Sequence, residues 1–303
     1  MPRFRIFLSE TDATARPVDS TGPVSDPPIV PATGGSQVTL RVVAALVMIP
    51  PVLACIYFGY PVFSIFVAVI VALMAWEWRR IIDGGAFGAK GVVFALALVA
   101  VMVAGSLSQY LIAYSLLAAF AVFYLAKSVF SDGAGTRSLW MSFGTLYIGL
   151  PTLALIWLRG DDIDGRNTIY WLFVLVWAAD TGAYVAGRLI GGAKLAPAVS
   201  PNKTWAGLAG CVVSAALVGV GVAYLSKSGD YVVLAGLSAL IGLVSQGGDL
   251  VESAIKRHFD IKDSSQLIPG HGGIFDRVDA LLAAILVAAL IKFSYGDSII
   301  QWS

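Results

Sequence analysis

From Thr39 onward the chain alternates long apolar stretches with short polar breaks. The stretches recur at about 20 residues, the length at which a helix crosses a bilayer. They predict spans at 39–58, 61–77, 91–107, 109–127, 139–158, 168–188, 205–226, 231–250 and 274–294. The expected fold is therefore an all-α polytopic membrane protein with about nine transmembrane helices. Pro50 and Pro51 predict a kink in the first span. No internal repeat is evident, which weighs against an inverted-repeat transporter.

Residues 1–37 are different. Six prolines, with Ser, Thr and mixed charges, leave little to bury, so a disordered tail is expected. Its start, Arg3 to Leu8, lacks the apolar core of a secretory signal. Arg3, Arg5 and Arg16 suit weak contact with a membrane surface. Three regions follow: the tail 1–37, amino-terminal helices 38–158, and a carboxyl-terminal region 159–303.

Composition agrees with this class. Hydrophobic residues make up 58% and charged residues 13% of the chain, against roughly 25% charged in soluble domains. The net charge of +1 implies no nucleic-acid partner. Cys55 and Cys211 both lie in apolar runs, which favours packing over a disulfide or zinc site. Orientation follows from the bases. With the amino terminus inside and the carboxyl terminus outside, sixteen Lys and Arg fall on the inner side. Only Arg159, Arg166, Lys227 and Lys292 fall outside. The acid-rich loop 161–164 then faces outward and reads as a solvated turn.

Three polar clusters interrupt the apolar pattern. The richest runs from Asp249 to Asp279. Asp249 and Glu252 share a helical face, and Lys256 and Arg257 continue that helix as a cationic tail. Lys262 and Asp263 precede a tight turn, Pro269-Gly270-His271-Gly272-Gly273, whose glycines let backbone N–H groups approach a phosphate. Asp276 and Asp279 project from one face of the next helix. Carboxylates from two helices suit a hard cation such as Mg²⁺, with Lys and Arg left for phosphate oxygens. His258 reads as an unliganded interface residue. The second cluster holds Asp180, Tyr184, Gly187, Arg188 and Gly191. Asp180 lies inside a span, where an unpaired carboxylate is costly, and an ion pair with Arg188 is one reading. Gly187 and Gly191 predict close helix approach. The third cluster is Ser200-Pro201-Asn202-Lys203-Thr204-Trp205. Ser200-Pro201 reads as a helix start, and Lys203 and Thr204 near a helix N-terminus would also suit a phosphate.

The run 253–279, with Ser253, Lys256, Arg257, Lys262, Asp263, the 268–273 turn, Asp276, Arg277 and Asp279, resembles the signature of the phosphatidate cytidylyltransferase (CDP-diacylglycerol synthase) family. Asp180, Tyr184, Gly187 and Arg188 resemble a further segment of that family, and residues 200–207 another. Ala206 and Ala280 depart from the polar residues often found there.

The resemblance implies transfer of the cytidylyl group of CTP to phosphatidic acid. It implies Mg²⁺, with room for a second cation, on Asp249 and Asp276, supported by Asp279, Glu252 and Asp180. Lys256, Arg257, Lys262, Arg277 and Lys203 would neutralise phosphates, and His271 would donate a hydrogen bond. Tyr184, Arg188, Ser200, Thr204, Gly270, Gly272 and Gly273 would complete the substrate site, and Asp263 the catalytic set. It also implies a homodimer in the inner membrane, among membrane lipids, with its site facing the cytoplasm. The rival readings are a cation-coupled transporter and an enzyme that uses CTP on a polyprenol or ether-lipid phosphate. A purely structural membrane protein would explain none of the clusters.

Overall fold

The computed structural model describes residues 49–84, 88–130, 135–267 and 272–295. The tail 1–37, the first part of the first span, and Gly270 and His271 of the glycine turn lie outside the described residues.

Nine helices are present among the described residues. They are α1 (Ile49–Phe58), α2 (Val62–Asp83), α3 (Gly88–Ser106), α4 (Tyr110–Phe130), α5 (Gly135–Arg159), α6 (Ile163–Leu189), α7 (Trp205–Leu225), α8 (Tyr231–His258) and α9 (Phe275–Tyr295). Seven, α2 to α8, are long and apolar enough to cross a membrane. Their outward faces carry large apolar side chains such as Leu96, Leu111, Phe123, Phe130 and Leu217. Such faces suit hydrocarbon, and helices satisfy their own backbone there.

The boundaries differ from expectation where polar side chains act locally. α6 begins five residues early, because Asp162 of the acid-rich loop caps it and accepts from the Gly165 N–H at 2.6 Å. α2 runs six residues past its apolar stretch and stops at Gly84, whose φ of 69° suits a residue without a side chain. Pro50 and Pro51 lie in the first described turn of α1, so the expected kink falls against residues outside the description.

The loop before α7 adds one small element to the helical bundle. It forms a two-stranded antiparallel hairpin, β1 (Lys194–Ala196) and β2 (Ser200–Thr204), with Lys194 opposite Thr204. Ser200-Pro201 is therefore strand, not helix start. Thr204 is the cap, its hydroxyl accepting from the Gly207 N–H at 3.0 Å. Gly187 does mark a close approach, facing Gly207 and Thr204. Gly191 does not: it is a turn residue with φ 67° and open space where a side chain would go.

α5 packs against α2, α3, α4, α6 and α9, and α6 to α9 form the other half of the bundle. A Cβ on Gly182 would collide with Ser214 and the Gly210 carbonyl, which shows how closely α6 and α7 approach. Between α2, α5 and α9, Trp78, Phe143, Tyr147 and Phe275 stack at centroid separations of 5.3 to 6.0 Å. This aromatic floor lies beneath the polar clusters.

Candidate active site

The site is assembled where the ends of α2, α6 and α8 meet the starts of α7 and α9. On α8, Asp249, Glu252 and Lys256 share one face at helical spacing. Lys256 Nζ bridges two acids, Glu252 Oε2 at 2.6 Å and Asp276 Oδ1 of α9 at 2.7 Å. Lys203 reaches from β2 to Asp249 Oδ2 at 2.8 Å and donates to the Gln246 carbonyl at 3.3 Å. The Gln246 amide donates to Asp180 Oδ1 at 3.0 Å. Asp180 is thus held through Gln246 rather than by Arg188, the sequence-based alternative.

Three distant segments therefore converge on one patch. Asp180, Asp249 and Asp279 lie within electrostatic reach of one another, and Glu252 within reach of Asp279. Glu252 and Asp279 are buried, at 3% and 9% exposure. No donor of the described residues hydrogen-bonds Glu252 Oε1; Oε2 meets Lys256, and the carboxyl also lies against that of Asp276. Buried acids normally find partners, so this group is open to a further cation.

The fit to a divalent cation has two sides. No three Asp, Glu, His or Cys side chains of the described residues come together as a ready metal site. Of the two acids expected to lead such a site, Asp249 is engaged by Lys203, and Asp276 by Lys256, the Ser264 N–H at 3.1 Å and the Gly273 N–H at 2.8 Å. The Glu252 oxygen that no donor meets and the neighbouring hard carboxylates are nonetheless the ligand chemistry Mg²⁺ uses.

Glu77 is the residue the sequence did not single out. It is fully buried near the end of α2 and accepts four bonds from the segment preceding α9. The donors are Ser264 Oγ at 3.1 Å, Ser265 Oγ at 2.5 Å, and the N–H groups of Ile274 at 2.8 Å and Phe275 at 2.7 Å. Gln246, Ser264 and Ser265 were likewise missed. The signal for Glu77 was an acid flanked by two tryptophans inside an apolar run.

The other expected residues spread around this centre. Lys262 and Asp263 are exposed on the 262–267 turn. Arg257 is exposed and donates to the Ile261 carbonyl at 3.1 Å. Tyr184 and Arg188 lie on the exposed face of α6 and bond each other at 2.6 Å. Thr204 is buried as a cap, and its hydroxyl oxygen accepts from the Gly207 N–H. The Gly273 N–H donates to Asp276 Oδ2 at 2.8 Å. His258 packs on Trp140 with ring centroids 5.0 Å apart.

Beside the carboxylates is a cavity of about 720 Å³ between α1, α2, α5, α6 and α9. Its walls are apolar, with Phe63, Val67, Phe173 and Ile285 among them, and Asp180, Thr181 and Arg277 also line it.

Comparison with known proteins shows the family. The sequence model of the cytidylyltransferase family matches residues 39–294. A protein named phosphatidate cytidylyltransferase from Pseudomonas aeruginosa is 36% identical over 266 residues, 84% of this chain and 97% of that protein. Proteins of the same name from Brucella suis and Bacillus subtilis are 45% and 38% identical over 158 and 160 residues. Those two matches each cover 52% of this chain and 58% of the relative's length. With a match that takes in both the helices and the polar clusters, the chain belongs to the cytidylyltransferase family.

Proposed function

We propose that this protein transfers the cytidylyl group of CTP to phosphatidate, giving CDP-diacylglycerol and pyrophosphate. One observation carries the reading: Asp180 lines the apolar cavity and, through Gln246, belongs to the same network as Lys203 and Asp249. A space suited to acyl chains thus meets a patch suited to phosphates.

In the reaction an oxygen of the phosphatidate phosphate forms a bond to the α-phosphorus of CTP. The bond from that phosphorus to the bridging oxygen breaks, and pyrophosphate leaves with the electron pair. The nucleophile is already ionised, so the requirement is alignment of two anions and neutralisation of their charge. Lys203 and Lys256 lie in the centre of the patch, while Arg257, Lys262 and Arg277 border it. Glu252, Asp249 and Asp279 would hold a divalent cation, with Asp276 and Asp180 beside them. When bound, such a cation offsets charge on the triphosphate and the leaving pyrophosphate. Lys256 keeps Asp276 and Glu252 in register across α8 and α9.

The reading also places the site at the cytoplasmic face of the inner membrane, amino terminus in and carboxyl terminus out. Its support is charge: Arg79, Arg80, Lys90, Lys127 and Arg137 lie at the helix ends nearest the site, with the bases already named. Arg159, Arg166, Lys227 and Lys292 lie at the opposite ends.

The test is lipid conversion by the purified protein in detergent. CTP, phosphatidate and Mg²⁺ should all be required, and chelation should abolish turnover until Mg²⁺ is restored. Equal or better use of a polyprenol phosphate would redirect the substrate assignment. Turnover without CTP would remove it.

A further inference from the structure

We infer that Glu77 is a positioning residue for the reaction proposed above: it ties Ser264 and Ser265 to the start of α9 so that Asp276 is correctly placed against Lys256. The inference rests on that functional reading for its kinetic consequences and on hydrogen-bond geometry for the rest.

Glu77 is an unusual group to find at this position. It is fully buried, and no Lys or Arg of the described residues forms an ion pair with it. Its neighbour Arg79 is paired with Asp83 instead. A buried anion without a counter-ion is costly unless hydrogen bonds surround it. Here the four donors from Ser264, Ser265, Ile274 and Phe275 do so, and all come from one segment nearly 200 positions along the chain. Two are backbone N–H groups at the start of α9, where a helix favours negative charge. Glu77 therefore supplies from α2 the anion that closes the α9 N-terminus.

The link to the reacting centre is short. Ser264 Oγ lies 3.1 Å from Glu77 Oε2 and 3.1 Å from Asp276 Oδ2, so one hydroxyl stands between both carboxylates and its single proton serves one of them at a time. Asp276 also accepts from the Ser264 and Gly273 N–H groups, both beside groups that Glu77 holds. Gly273 fits because a Cβ there would collide with Ser264 Oγ and Glu77 Oε1. Ser265 donates to Glu77 without touching Asp276, which separates anchoring the loop from aligning the acid.

This asymmetry sets the experiment. Glu77→Gln keeps the volume but turns one acceptor into a donor that faces donors. It should lower kcat for CDP-lipid formation about 100-fold, the scale of an ångström-sized misplacement, with KM for CTP moving less than about threefold. Ser264→Ala should lower kcat about tenfold, near the value of one such bond, and Ser265→Ala should lower it less. Amide hydrogen exchange should quicken at 264–267 and 272–275 in Glu77→Gln while the turns at the opposite end keep wild-type rates. Equal losses in Ser264→Ala and Ser265→Ala, or wild-type kcat per folded molecule in Glu77→Gln, would overturn the inference. If Glu77→Gln does not fold, the two serine variants decide it. Should the wild-type protein not transfer cytidylyl groups at all, the functional proposal fails. The exchange comparison would then still show whether Glu77 holds these residues.

Discussion

The two ends of the helix bundle both carry charge, and they treat it in opposite ways. At the far end Arg159 is buried, and its guanidinium donates to the carbonyls of Ile56 at 2.9 Å and Gly160 at 3.0 Å. Asp162 caps α6, Arg166 rests over the Tyr57 ring and Lys292 over the Trp157 ring. These charges meet the chain's own backbone or rings, although Asp164 Oδ1 and Arg166 Nε are also buried there without a hydrogen-bond partner. At the near end Lys256 is shared by two acids, Asp279 is buried close to other carboxylates, and Glu252 has an oxygen that no donor of the described residues meets. Charge in a membrane protein is thus not itself a sign of function. The sign is acids from separate helices drawn together around one base, as Glu252 and Asp276 are around Lys256.

Substitutions can break that contrast. The largest effect should come from Lys256→Ala, which leaves Glu252 and Asp276 facing each other without their cation. Turnover should fall at least about 1,000-fold, and stability by about 3 kcal/mol as for a broken buried ion pair; kinetics and thermal denaturation read the two losses separately. Asp276→Asn should follow, with kcat down about 100-fold and an unchanged elution profile in detergent; near-normal kcat would take Asp276 out of the site. Lys262→Ala, on the exposed turn, should raise KM for CTP about tenfold, near the value of one charge-assisted contact, with thermal stability unaltered. The smallest effect on turnover should come from Arg159→Ala. It should cost about 2 kcal/mol of stability by leaving buried carbonyls unpaired, with kcat per folded molecule within about twofold of wild type. A large kcat loss there without a stability loss would erase the distinction between the two ends.

How much of this could be read from the chain depended on the type of constraint. The membrane helices were legible because hydrocarbon demands long apolar runs, and even the break between α3 and α4 fell where expected. The α8 face of Asp249, Glu252 and Lys256 was legible because helical spacing alone aligns it. The hairpin was not, since strands of three and five residues carry too few positions to show alternation. Ser200 was mistaken for a helix start because a Ser-Pro pair is a good cap anywhere, and only the fold shows that Thr204 does the capping. Glu77 was hidden for another reason: its partners are 187 to 198 positions away. The flanking Trp76 and Trp78 hint that this acid turns inward, but they do not show which distant groups meet it. The Asp180–Gln246 bond is a long-range contact of the same sort.

The central claim is that this end of the bundle joins a lipid phosphate to the α-phosphorus of CTP. It is tested most directly by following the two ends of the nucleotide's phosphate chain. Purified protein should be given phosphatidate and Mg²⁺ with CTP labelled at either the α- or the γ-phosphate. The α-label should appear in the organic-soluble lipid, and the γ-label should remain in water as pyrophosphate. Recovery of the γ-label in lipid, or of no label from either nucleotide, would contradict the account.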